Sequence, residues 1–174
     1  MSVRSIAPLE PASPFISEIA GQQFEHWGAL TGHSSLIAYR SFLEQAARSV
    51  TLPRVLVAAT PKTLLGSVNL LVNEMTVRPH LAPWLAQLFV MESARGAGIG
   101  TVLIGAAARY VEKLGHRQLF LFTSGALPDY YGARGWVAVE EVAYLGKVRT
   151  VMRLALDPPD AAGPSDDIGD EETG

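Results

Sequence analysis

The sequence predicts an α+β fold, a central mixed sheet of about six or seven strands flanked by helices on both faces. Three observations carry the prediction. Short runs rich in Val, Leu, Phe and Thr, bounded by Pro and Gly, alternate with stretches whose apolar residues recur every three or four positions. In the middle of the chain, an apolar strand (Leu85 to Met91) runs through a glycine-rich turn into a helix opening at about Gly98. Finally, 174 residues with 48% hydrophobic content can bury one sizeable core. Residues 1–156 are therefore read as a single domain, and 157–174 as an acidic, disordered tail.

In chain order, residues 3–9 (VRSIAPL) form a short edge strand closed by Pro8 and Pro11. A first helix starts with Ser13 as N-cap and Pro14 at the first helical position, and buries Phe15, Ile16, Ile19, Ala20, Phe24 and Trp27. A second spans about Ser35 to Ser49, with Leu36, Tyr39, Phe42, Leu43, Ala46 and Ala47 inward. Residues 54–60 and 64–73 make an antiparallel hairpin around Pro61, Lys62 and Thr63. The stretch 74–84 contains two prolines and is a loop beside the central strand. The helix from Gly98 buries Val102, Leu103, Ala106, Ala107, Tyr110, Val111 and Leu114, and Gly115 ends it. Gln118 to Thr123 is a buried strand, residues 125–134 a short helix. Residues 136–145 and 148–156 form a last hairpin turning at Gly146 and Lys147.

A strand that delivers a glycine loop to a helix N-terminus is suited to hold phosphate, because freed amides converge there and the helix dipole adds about half a positive charge. Spacing separates the families that use such a loop. Gly100 is followed by Thr101 with no preceding lysine, which excludes a P-loop. The glycines at 96, 98 and 100 fall one residue short of a dinucleotide fingerprint, and LFLFTS carries no acid for a ribose. What remains is Arg95-Gly96-Ala97-Gly98-Ile99-Gly100 after a hydrophobic strand. This resembles the acyl-CoA-binding motif of the GCN5-related N-acetyltransferase (GNAT) family, Arg/Gln-x-x-Gly-x-Gly/Ala. A second stretch, LPDYYGARGWV from Leu127 to Val137, is similar to the same family's Tyr-three residues-Gly-aromatic segment, with Tyr131 four residues before Gly135.

The resemblance implies the GNAT acyl-CoA N-acyltransferase fold and transfer of an acetyl group from acetyl-CoA to a primary amine, on a small molecule or a peptide. It implies that the two N-terminal helices flank the acceptor cleft, and that the strands ending near Met91 and Thr123 splay around the thioester arm. Amides of Arg95, Gly96, Ala97, Gly98, Ile99, Gly100 and Thr101 would bind the pyrophosphate, while the backbone of Phe89 and Val90 pairs with the pantetheine. Tyr131 falls at the place of the general acid that protonates the thiolate, or is a packing tyrosine; Tyr130 beside it points elsewhere. Thr123 and Ser124 either bind cofactor or cap the following helix. For the general base, Glu74 leads and His80 follows. The acceptor side would draw on Trp27, Tyr39, Glu74, Met75, His80 and Trp84. Glu92 and Ser124 stand where the family often has Pro and Asn, which alters how the pantetheine is held.

Composition bounds the rest. The chain has no cysteine, which excludes disulfides, zinc–thiolate sites and cysteine nucleophiles. His26, His33 and His116 show no metal-ligand spacing, and no metal is expected. No apolar run is long enough to span a bilayer and the N-terminus lacks a signal-peptide core, so no membrane partner and a cytoplasmic location are expected. The net charge of -3 conceals seven acids in residues 157–174, which leave ten acids against 14 bases, about +4, for the body. That suits an anionic co-substrate and is too weak for nucleic acid. Homodimers are common in the family resembled. The rival reading is a non-catalytic CoA-binding sensor or regulatory module.

Overall fold

The computed structural model describes residues 5–157; the predicted acidic tail lies outside them beyond Asp157. Seven strands form one sheet in the order β1-β2-β3-β4-β5-β7-β6. The elements follow the chain as β1 (Ser5–Pro8), α1 (Ile16–Trp27), α2 (Leu36–Arg48), β2 (Arg54–Ala59), β3 (Leu64–Leu71), β4 (Trp84–Val90), α3 (Ile99–Lys113), β5 (Gln118–Thr123), α4 (Leu127–Gly132), β6 (Val137–Tyr144) and β7 (Lys147–Ala155). All pairings are antiparallel except β4 with β5.

Alternation along β2 sorts the two layers. Val55 and Val57 pack beneath α1 and α2 with Ile19, Tyr39 and Leu43, whereas Leu56 and Ala58 face α3 through Leu103, Ala107 and Val111. A third cluster, Met75, Trp84, Phe120, Tyr144 and Val151, fills the sheet beyond the reach of α1 and α2. Helix α1 begins two residues later than Pro14: Phe15 is the N-cap residue, and the Ser13 hydroxyl accepts from the Phe15 amide at 3.2 Å. Ser35 caps α2, its hydroxyl accepting from the Ala38 amide at 3.1 Å. Leu36, expected inward, is 46% exposed because it sits in the first turn, ahead of the stripe that meets the sheet. The final hairpin forms as expected, but β7 rather than β6 lies against β5.

Two features of the sheet make the site. First, Ser67 opposes Phe89 while Asn69 opposes Ala86, so β4 spends one residue more than β3. Gln87 takes up the excess with φ 46, a left-handed β-bulge. Gly66 permits close approach next to it: a Cβ there would stand 2.6 Å from the Phe89 carbonyl oxygen. Second, β4 and β5 pair in register only at Trp84 and Phe120, after which they splay. No strand pairs with the edge of β4 that faces β5 from Ala86 to Val90.

Candidate active site

The glycine loop stands at one end of this free edge. Gly96 and Gly98 hold φ of 82 and 78, and Gly98 is the residue before α3. Among the described residues no loop or cap acceptor takes the amides of residues 96–101; the first such bond runs from the Val102 amide to the Gly98 carbonyl at 3.1 Å. The loop thus presents unpaired donors at the positive end of a long helix, the arrangement that binds a diphosphate. Arg95 turns its Nε back to the Val90 carbonyl at 3.2 Å and lies 6.0 Å from the Phe89 ring centroid. It therefore braces the end of β4. A second cation, unnoticed in the sequence, reaches the loop from α4: Arg134 Nε donates to Thr101 Oγ1 at 3.2 Å, with its guanidinium 3.5 Å from the Tyr130 ring centroid.

The two tyrosines of α4 have rings 87° apart and reach different places. Tyr131 is buried in the α3-side core, 5.9 Å from the Trp136 ring. Burial, reinforced by Tyr130 and opposed by Arg134, pushes its phenol up to about 12. The Tyr130 hydroxyl instead comes within 3.5 Å of where a Cβ on Gly100 would sit, at the mouth of α3.

At the other end of the free edge, two cavities meet. One of about 150 Å³ lies in the splay, lined by Trp27, Ala86, Thr123, Ser124, Leu127 and Arg149 among others. A larger one of about 430 Å³ opens under α2 between Tyr39, Phe42, Leu71 and Tyr144. Leu30, Glu74 and Gln87 line both. Glu74, just beyond β3, accepts from Gln87 Nε2 at 3.0 Å. Burial raises its carboxyl to about 7, outweighing the lowering effect of that hydrogen bond. Glu74 thus stands beside the cleft, where its place after a strand leads one to expect it. His80 is exposed and near Glu140, so it is not part of either lining. Met75 and Trp84 are core residues, 1% and 0% exposed, and do not form the acceptor wall.

Beneath Glu74 runs a buried polar network that sequence reasoning missed. Gln87 Oε1 accepts from Asn69 Nδ2 at 3.1 Å, and Asn69 Oδ1 accepts from Gln23 Nε2 at 3.0 Å. The Tyr39 hydroxyl donates to Gln23 Oε1 at 2.6 Å. Gln23 Nε2 also reaches the carbonyl of the bulge residue Gln87 at 3.3 Å. The chain from α1 through β3 thus holds both the bulge and the carboxylate. A signal did exist: Gln23 follows Ile16, Ile19 and Ala20 at helical spacing, and Asn69 interrupts an apolar strand. A polar residue on a stripe of core positions is either expensive or purposeful.

The arrangement is a loop of unpaired amides at a helix N-terminus, an open strand edge and a cleft that ends on a carboxyl group pushed up to about 7. The acetyltransferase (GNAT) family model matches residues 16–135. Among solved structures, a GNAT-family acetyltransferase from Streptococcus pneumoniae superposes with a TM-score of 0.64 at 19% identity, covering 88% of this chain and 99% of that one. An aminoglycoside 6'-N-acetyltransferase complexed with coenzyme A gives 0.68 at 16% identity, covering 89% and 98%. Mutant forms of the spermidine/spermine N-acetyltransferase SpeG from Vibrio cholerae give 0.65 at 16% identity, covering 87% and 92%. No curated protein matches the sequence. With more than half of its residues inside the family model and the seven-stranded, splayed sheet of the fold, the chain belongs to the GNAT acetyltransferase family and is an acyltransferase enzyme.

Proposed function

We propose that the chain is an N-acetyltransferase that moves the acetyl group of acetyl-CoA to a primary amine by direct attack. The observation that carries this reading is the edge of β4 from Ala86 to Val90, unpaired by any strand and open between unpaired loop amides at one end and Glu74 at the other. The diphosphate docks on the amides of residues 96–101, near Arg134, while the Arg95 amide is taken by the Glu92 carbonyl at 3.3 Å, and the pantetheine continues the sheet along Phe89 and Val90. The thioester then lies in the splay cavity beside Ser124, and the amine enters from the larger cavity under α2.

Glu74 is the base. At about 7 it is substantially ionised at neutral pH, yet basic enough to accept a proton from the incoming amine. The nitrogen lone pair attacks the thioester carbonyl, a C–N bond forms and the C–S bond breaks. We assign the departing thiolate to Tyr131. At about 12 its phenol stays protonated across the working range, but it is a weaker acid than a thiol, ordinarily ~8.5. It acts by hydrogen-bonding the sulfur as the C–S bond breaks, keeping its own proton, and the released thiolate takes its proton from water.

Because the protein has no cysteine, a thiol-reactive dye reads released coenzyme A without background. Acetyl-CoA and a panel of primary amines should give amine-dependent release. Tight coenzyme A binding with no release on any amine would favour a CoA-binding regulatory module instead. Tyr131→Phe should lower kcat and spare the KM for acetyl-CoA, whereas Tyr130→Phe should raise that KM. An unchanged kcat in Tyr131→Phe removes the acid assignment.

A further inference from the structure

The splay cavity contains a group for which acetyl transfer has no use. Arg149 projects from β7 and is 9% exposed. It shares a face of β7 with Val151 of the Met75–Trp84 cluster and lines the same cavity as Glu74, Thr123 and Ser124. Its Nε donates to the Tyr144 carbonyl at 3.2 Å, and its guanidinium lies 5.7 Å from the Phe122 ring centroid. Among the described residues the side chain has no other hydrogen-bond partner, and the ion pairs are Arg40–Glu44 and Arg78–Glu140. Arg149 therefore has no carboxylate within ion-pair distance, Glu74 included.

A guanidinium stays charged at any physiological pH, and burying it without an anion is costly. Its remaining fork of N–H donors matches a carboxylate in two-point geometry. The cavity thus offers a base at one wall and a fixed cation at another. A polycationic acceptor would meet Arg149 as a like charge and find Glu74 as the one acid among the described residues of either lining. The larger cavity adds aromatic and aliphatic walls, Tyr39, Phe42, Leu71 and Tyr144, but no second acid.

We propose that Arg149 binds a carboxylate of the acceptor, which makes the acceptor an amino acid, with its amine at Glu74 and an apolar or aromatic side chain in the cavity under α2. This rests on the acetyl-transfer reading and narrows it. The same cation could meet a carboxylate on a dicarboxylic acyl group, so the test has a donor arm.

Matched acceptors that differ only in the carboxylate, phenylalanine against phenethylamine and leucine against isoamylamine, are compared with acetyl-CoA. The wild type should favour the amino acid by about 10-fold or more in kcat/KM, as expected when a buried charge is left unpaired. Arg149→Gln should raise the KM for the amino acid by about 10- to 100-fold and leave the plain amine within about 3-fold. Arg149→Lys, which keeps the charge and a donor for the Tyr144 carbonyl, should fall between them. Equal use of both acceptors by the wild type overturns the proposal, as does an equal loss on both in Arg149→Gln with a native melting curve. A wild-type preference for succinyl-CoA over acetyl-CoA that Arg149→Gln abolishes moves the carboxylate to the donor and also overturns it. Calorimetry of N-acetylphenylalanine and N-acetylphenethylamine on the coenzyme A-loaded protein covers the case of no turnover: preference for the carboxylated product supports Arg149, and equal binding refutes it. Failure to bind coenzyme A sinks the acetyl-transfer reading separately. The two products then compete on the free protein, where preference and equal binding again support and refute Arg149.

Discussion

The two ends of the cleft are built from opposite materials. The loop end uses backbone: consecutive residues from 96 to 101, largely exposed, whose amides are the proposed binding groups and whose glycines supply the φ values. The carboxylate end uses side chains brought together from α1, α2, β3, β4 and the loop after β3, with Gln23 and the Gln87 carbonyl 64 positions apart in sequence. A backbone site tolerates any residue that keeps its conformation. A buried side-chain site fails when one member is removed, since the others lose their partners and cannot reach water. Substitutions at the two ends should therefore differ in size and in which kinetic constant they move.

The largest effect belongs to Glu74→Gln. Removing the proposed base should lower kcat/KM by about 10²- to 10³-fold at pH 8 and leave acetyl-CoA affinity within about 2-fold. The wild-type rate should rise with pH through about 7, where Glu74 loses its proton, and the variant should lack that inflection. A pH–rate profile of both proteins checks this. An unaltered inflection in Glu74→Gln would assign the base elsewhere.

Next comes the network that holds Glu74. Asn69 is fully buried and bonded to Gln23, Tyr39 and Gln87. Asn69→Leu has similar volume but leaves three polar groups short of a partner, and should cost about 2–4 kcal/mol by urea denaturation. If the cost is under about 1 kcal/mol, the network is not what fixes the bulge.

Legibility in the sequence followed the same division. The glycine loop was readable because its residues are contiguous and their spacing alone excludes rival phosphate loops. Strands were readable as short β-rich or apolar runs bounded by Pro and Gly, β5 to the residue. Glu74 was readable by proximity, as the first acid after β3. The same reasoning overreached at His80, Met75 and Trp84: nearness in the chain put them beside the cleft, while packing turned His80 to solvent and buried Met75 and Trp84 in a separate cluster. The bulge at Gln87 depends on strand register, and the insertion of β7 beside β5 on a nonlocal pairing. Neither leaves a mark in local pattern. Arg149 leaves none either: β7 carries Lys147, Arg149 and Arg153 in one register, and only the strand's neighbours decide that Arg149 is the one buried.

A smaller effect separates the ends through stability. Glu74 has a folded-state pKa of about 7 against an ordinary 4.5. The folded chain holds this proton more tightly than the unfolded chain, so the native state loses stability as pH rises from about 4.5 to 7, with a plateau beyond. The residual exposure of Glu74 holds the loss to about 2 kcal/mol. Glu74→Gln removes it: the variant should melt together with the wild type near pH 4.5 and about 4–8 °C above it at pH 8. A variant that melts lower at pH 8 would mean that the ionised carboxylate is favourably paired in the fold.

The smallest effect is at the loop, where conformation alone is at stake. A Cβ on Gly98 would have no heavy atom within 4 Å, so space is not the constraint; φ of 78 is. Gly98→Ala should cost about 1 kcal/mol and raise the KM for acetyl-CoA a few-fold, since the loop relaxes from the geometry that aims its amides. Gly98→Asn, which tolerates left-handed backbone, should be nearly silent in both. Acceptor KM should not move in either variant, measured by steady-state kinetics with each substrate varied in turn. If Gly98→Asn weakens acetyl-CoA as much as Gly98→Ala does, the site reads side chains rather than backbone, and the division between the two ends of the cleft is wrong at its simpler end.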